Sequence, residues 1–231
     1  MAHAFPDVLI PDADGLVFTG GTLTRETIVE AYTRGVFPWR GGRAIPWYSP
    51  DPRAVLRPGA MRVARSLAKR ARHAGLAVAF DRDFRGTMVR CATTPRAHES
   101  STWITDDMID AYCELHAAGI AHSVEIYRAD DHAPVGGLYG LTFGRLFHGE
   151  SMYHLVADAS KLALWCASEA LAARGFTWVD CQVPTRHLMS LGAQAIPRAE
   201  YLASVRDNAR WASLHESWAA WRVDHVLPPL G

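Results

Sequence analysis

The sequence predicts an α+β fold, a mixed sheet flanked by helices, and three observations carry that prediction. Stretches with helical caps alternate with β-rich runs along most of the chain. Three of the β-rich runs follow one another with only turn residues between them, which reads as a meander. At 231 residues and 49% hydrophobic content, the chain can bury a real core. A Pro/Gly/Trp-rich zone from Gly35 to Pro58 is the one shift in composition. It divides the chain into a small amino-terminal domain, residues 1–60, and a larger one, residues 61–231.

The elements follow in order. Thr24 can cap a helix over Arg25 to Arg34, with Leu23 and Ile28 as a hydrophobic staple and Gly35 as the residue that closes it. Pro38, Pro46, Pro50, Pro52 and Pro58 then forbid a long helix and favour extended loops. A helix from Met61 to Ala74 ends at Gly75, a strand runs from Leu76 to Asp81, and a helix from Asp106 to Ala118 ends at Gly119. Ala121 to Arg128, Pro134 to Thr142 and Arg145 to Gly149 form the meander. A helix from Ala159 to Arg174, a strand from Phe176 to Val183, a helical turn from Thr185 to Leu191 and a helix from Arg198 to Arg210 complete the chain.

Several function classes are excluded. No basic segment followed by an apolar block opens the chain, and no run of about 18 apolar residues could span a bilayer, so the default is a cytoplasmic protein off the membrane. The cysteines at 91, 113, 166 and 181 form no C-x-x-C pair, so they read as reduced packing thiols without a zinc or redox motif. Basic and acidic residues balance at 24 each, so any contact with nucleic acid is focal. Neither G-x-S-x-G nor H-E-x-x-H occurs. His148-Gly149-Glu150 lacks the P-C-x-x-C partner of a zinc deaminase. Gly136-Gly137-Leu138-Tyr139-Gly140 sits within a strand and lacks dinucleotide-binding spacing, so it reads as close strand packing.

Candidate chemistry lies in three places. In the strand Phe176 to Val183, alternation puts Trp178, Asp180 and Gln182 on one face. A carboxylate in an apolar strand is costly unless paired or used, so Asp180 either caps the turn at Pro184 and Thr185 or serves function. Glu150 follows a glycine that permits close approach of a ligand, the alternative being an edge-strand surface residue. Arg62, Arg65, Lys69 and Arg72 fall on one helical face, with no acidic residue between Arg53 and Asp81. That stripe suits a phosphate backbone as well as it suits water. Trp39, Trp47, Tyr48, Trp103 and Tyr112 could stack on unpaired bases or pack in the core.

Taken together, these blocks resemble one family. Ala31-Tyr32-Thr33-Arg34-Gly35-Val36-Phe37-Pro38-Trp39, Trp47-Tyr48-Ser49-Pro50-Asp51-Pro52-Arg53 and Thr102-Trp103-Ile104 are similar to segments of the bacterial leucyl/phenylalanyl-tRNA–protein transferases. So are His122-Ser123-Val124-Glu125, the Gly136 to Gly140 run, Gly149-Glu150-Ser151-Met152, Ala159-Ser160-Lys161, Asp180-Cys181-Gln182 and His187 to Ala193. The resemblance spans Leu16 to Tyr201. Tyr48 and Tyr153 stand where many members carry Trp and Phe, and the loop Ala129 to Pro134 is longer, which blurs the pocket's exact preference.

The resemblance implies a small α/β domain joined to an acetyltransferase-like domain. It implies transfer of Leu or Phe, with Met a further candidate, from aminoacyl-tRNA to the α-amine of proteins beginning with Arg or Lys, which marks them for degradation by the N-end rule. Asp180 and Gln182 would act on the attacking amine and Glu150 would hold an ammonium group. An aminoacyl ester is already activated, so positioning, proton removal and oxyanion stabilisation suffice without a covalent nucleophile, cofactor or metal. Met152 and Leu164 are candidate walls of an apolar pocket, and Trp47, Trp103 and Tyr112 candidates for the terminal adenosine. A monomer is expected. The competing readings are an acyl-CoA-dependent N-acetyltransferase, for which no Q/R-x-x-G-x-G/A loop is found, and a non-catalytic module that binds RNA or peptide ends.

Overall fold

The computed structural model describes residues 5–6, 9–39, 44–95, 102–211 and 216–230. Two sheets organise it, and the α+β class with a mixed sheet is the one observed. Strands β1 (Leu16–Thr19), β2 (Phe37–Pro38) and β3 (Pro46–Tyr48) make a small antiparallel sheet in the order β1-β3-β2. Helix α1 (Arg25–Thr33) starts where Thr24 accepts the Thr27 amide, as its capping residue type predicts.

The large sheet holds β4 (Arg53–Leu56), β5 (Leu76–Phe80), β6 (Ala121–Arg128), β7 (Pro134–Phe143), β8 (Leu146–His154), β9 (Trp178–Gln182) and β10 (Gln194–Ile196). Its order is β10-β4-β9-β8-β7-β6-β5. The meander β6-β7-β8 is antiparallel, whereas β8 and β9 are parallel and joined through helix α5 (Ala159–Ala172). A parallel neighbour requires such a crossover. Arg53–Leu56 falls in the zone read as loops, yet it pairs with β9 and β10 and puts Val55 opposite Asp180.

Helices α2 (Arg65–His73), α3 (Phe84–Thr93), α4 (Asp106–Ala117), α6 (Arg186–Ser190) and α7 (Arg198–Asn208) cover the sheet. The stretch expected to be helical from Met61 begins only at Arg65, because the Arg62 amide is drawn to the Leu191 carbonyl in an extended segment. The strand expected to end at Gly149 continues to His154 across an irregularity opposite Tyr139 and Gly140. One core cluster lies under α5 and the carboxy-terminal Trp218 and Trp221. A second joins α1 and the small sheet to α3, α4 and the other face of β7. The Gly136 to Gly140 run is packed closely, as expected: a Cβ at Gly136 would stand 2.9 Å from the Ala159 carbonyl carbon.

Candidate active site

Asp180 emerges from β9 fully buried, and its cost is met by donors from three elements. Arg53 Nε and Nη2 donate at 2.8 and 2.6 Å, the Tyr201 hydroxyl at 2.9 Å, and His148 Nδ1 lies 2.9 Å away. Burial alone would raise its pKa, but the Arg53 guanidinium and the His148 contact outweigh it and hold the carboxyl well below the usual range. Arg53 is equally buried. Sequence reasoning identified the need for a partner but not the partner, because only the β4–β9 register brings Arg53 across. The helical turn is capped by Thr185, which accepts the Leu188 amide, while Asp180 reaches the backbone earlier, at the Gln182 amide.

Gln182 breaks the alternation expected of β9. Its φ of 57° is left-handed, and Asp180 Oδ1 accepts its backbone amide at 3.0 Å. As a result Gln182 does not share a face with Asp180: it joins Val179 and Cys181 around a cavity of about 160 Å³ that Asp180 does not line. Gln182 Nε2 donates to the Gly149 carbonyl at 2.8 Å, which fixes the amide and leaves Oε1 to accept from a ligand.

Glu150, Met152 and Leu164 line the same cavity, together with Leu138, Phe147 and Leu188. Tyr32 donates to Glu150 Oε1 at 2.7 Å and Tyr112 to Oε2 at 3.3 Å, with the two hydroxyls 3.0 Å apart. Burial pushes the Glu150 carboxyl up to about 8, against the lowering effect of the Tyr32 bond and with the charge of Asp180 adding to the rise. One carboxyl of the site is thereby held ionised and the other is held near neutrality.

The remaining candidates are placed apart from the cavity. Trp47 is fully buried beside Phe5, its indole N–H donating to the Gly20 carbonyl, so it is a core residue and has no free face for a base. Tyr112 is also buried, with its hydroxyl donating to Glu150. Trp103 is partly buried at the edge of the second core cluster. Tyr48 and Tyr153, the positions that depart from the family pattern, do not line the cavity. Arg65, Lys69 and Arg72 are exposed on α2, and Arg62 is exposed just before it. Among the described residues, the one metal-competent cluster is Asp81, His116 and His122, whose Asp81 oxygens already accept from Ser123, Trp218 and His122.

An apolar cavity that opens on an oriented amide and a near-neutral carboxyl suits a group-transfer enzyme. Covalent chemistry is poorly served here, since burial and the Asp180 charge push the Cys181 thiol up to about 12 and no histidine lines the cavity beside Ser151. Comparison with known proteins identifies the group. Residues 55–206 match the model of the leucyl/phenylalanyl-tRNA protein transferase family, and residues 21–51 match that of its amino-terminal domain. A leucyl/phenylalanyl-tRNA–protein transferase of Pseudomonas entomophila is 51% identical over 191 residues, 82% of this chain and 83% of that protein. Those of Methylococcus capsulatus and of an Anaeromyxobacter species are 46% and 44% identical, covering 92% and 93% of this chain and 90% and 92% of theirs. The chain belongs to the leucyl/phenylalanyl-tRNA–protein transferase family.

Proposed function

We propose that the protein carries leucine or phenylalanine, with methionine as a further donor, from aminoacyl-tRNA to the α-amine of proteins that begin with Arg or Lys. This takes place in the cytoplasm, by a monomer, and marks the acceptor for degradation. The observation that supports it most is the shared cavity: apolar walls from Leu138, Met152, Leu164 and Val179 suit the donor side chain, and Gln182 and Glu150 stand at the same cavity. No described helix is long and apolar enough to cross a membrane.

In this reading the incoming α-ammonium sits between Glu150 and Gln182 Oε1. The ammonium loses one proton to Glu150, which its raised proton affinity suits to that task. The amine attacks the ester carbonyl, a C–N bond forms, the C–O bond breaks, and the ribose oxygen leaves with the nitrogen's second proton. Asp180, with its oxygens occupied by five donor groups and its proton affinity depressed, takes no proton. It is a positioning residue that holds the Gln182 backbone in its left-handed turn. Trp103 stays the candidate platform for the terminal adenosine.

The test is transfer of radiolabelled leucine from Leu-tRNA to a peptide beginning with Arg, comparing wild type with Gln182→Ala. Label should enter the peptide and fall by about 10²-fold in the variant, the scale of one lost transition-state contact. Asp180→Ala is the poorer probe, because stripping one partner from a buried ion pair costs about 3–5 kcal/mol of stability. No label from wild type would favour the acyl-CoA enzyme or the binding module.

A further inference from the structure

The parallel ladder between β8 and β9 closes at one pair, His148 opposite Asp180. Beyond it both strands leave regular geometry. Glu150 falls at the position skipped between Gly149, opposite Gly140, and Ser151, opposite Tyr139, and such a bulge re-aims the side chain it carries. Gln182 turns into the left-handed region. Where the strands part, the Gln182 side-chain amide reaches across to the Gly149 carbonyl. Both groups placed on the attacking amine therefore stand two residues past the last rung.

His148 touches what governs each of them. Its Nδ1 lies 2.9 Å from Asp180 Oδ2, and Asp180 Oδ1 accepts the Gln182 backbone amide. An ionised carboxylate can only accept, so Nδ1 carries the hydrogen. The same ring meets Tyr32 edge to face, with centroids 5.0 Å apart, and Tyr32 is the phenol that donates to Glu150 Oε1. His148 and Tyr32 also line a second cavity, of about 180 Å³, together with Phe143 and Trp211. It reaches the surface, since Thr33, Ala209 and Trp211 in its lining are exposed. His148 Nε2 is buried and has no hydrogen-bond partner among the described residues. A small solute thus has a path to the imidazole that avoids the amino-acid cavity, which His148 does not line.

We infer that His148 is a positioning residue: its Nδ1–H bond to Asp180 and its contact with Tyr32 set how β8 and β9 separate past their last pair, and so hold Gln182 and Glu150 at the spacing the attacking amine requires. The inference rests on the aminoacyl transfer proposed above, in which those two groups bind the amine. His148 itself exchanges no proton with the amine.

The experiment measures leucine transfer from Leu-tRNA to an Arg-initiated peptide in wild type, His148→Leu, His148→Asn and His148→Ala. Leucine fills the space without a donor, so kcat should fall about tenfold, the scale of a hydrogen bond to a charged group. KM for Leu-tRNA should stay within about twofold, because His148 is no part of the amino-acid cavity. His148→Asn keeps an N–H near the place of Nδ1 and should retain kcat within about threefold of wild type. At about pH 8, where free imidazoles are neutral, added imidazole should restore much of the kcat lost in His148→Ala. The N-methyl derivative of imidazole fills the same space without an N–H and should not. Equal kcat in wild type and His148→Leu overturns the assignment, as do equal losses in the Leu and Asn variants. Rescue of His148→Ala by both azoles alike, or by neither, overturns it too, and this comparison decides the matter where the Leu variant does not fold. A wild type that moves no label overturns the transfer reaction itself and this role with it.

Discussion

Two carboxyls a short distance apart are driven in opposite directions by what surrounds them. Asp180 meets a guanidinium, an imidazole and a phenol, and stays ionised. Glu150 meets two phenols and no cation, and rises to about 8. A cationic peptide amine beside Glu150 would lower that pKa in the complex relative to the free protein. The contribution to binding is then present in full above about 8 and is lost as pH falls through the window between 8 and the bound-state value, by up to tenfold per unit. We therefore expect the KM for an Arg-initiated peptide to rise as pH falls from 8 to 6. Glu150→Gln should bind the peptide about ten- to a hundredfold less tightly and lose this pH dependence. A KM profile that is flat in wild type, or equally steep in the Gln variant, would remove Glu150 from this role. Asp180 stood out in the sequence as a carboxylate in an apolar strand and Glu150 as a carboxylate beside a glycine, whereas Gln182 was joined to them by the family resemblance. Arg53, Tyr201, His148 and Tyr32 were not legible as their partners, because each lies on a separate element and only tertiary register joins them.

At the scale of elements, the site depends on how closely α5 can lie on the meander, since α5 supplies Leu164 to the cavity. Gly136 sets that distance: a Cβ there would come within 2.9 Å of the Ala159 carbonyl carbon and closer still to its methyl group. Gly136→Ala should cost about 1–3 kcal/mol by forcing the helix outward. Adding Ala159→Gly should recover only part, because the backbone clash remains. Thermal unfolding of the single and double variants checks this, and a Gly136→Ala protein as stable as wild type would refute it. The same elements mark where sequence patterns suffice. Thr24 accepts an amide at a helix start as its place in the sequence led us to expect, and Thr105 and Thr185 do the same at two other helices. Helix α3 escaped the reading because Gly86, Thr87, Val89 and Thr93 depress its local propensity, and it is held by Asp83 as cap and by burial of Phe84, Met88 and Cys91. Strands β2, β3, β4 and β10 escaped because they run two to four residues, too short for alternation to show.

For the whole molecule, 24 basic residues against 24 acidic ones leave no net field to draw in a polyanion, so attraction must come from the way charge is arranged. The described structure segregates it. Arg70 is paired with Asp158, while Arg65, Lys69 and Arg72 are exposed on α2 without an ion pair among the described residues. A helix is a rigid ruler for phosphates, and each cation that neutralises one releases condensed counterions. Reversing Arg65 and Lys69 to Glu should therefore weaken Leu-tRNA binding and lower the slope of log affinity against log salt by about one for each residue. With the donor's amino acid in the cavity, as proposed, and no α2 residue in its lining, kcat at saturating Leu-tRNA should change far less than KM. Binding that is equal to wild type at both low and high salt would show the face to be a solvated surface, and would move the RNA to another path over the sheet.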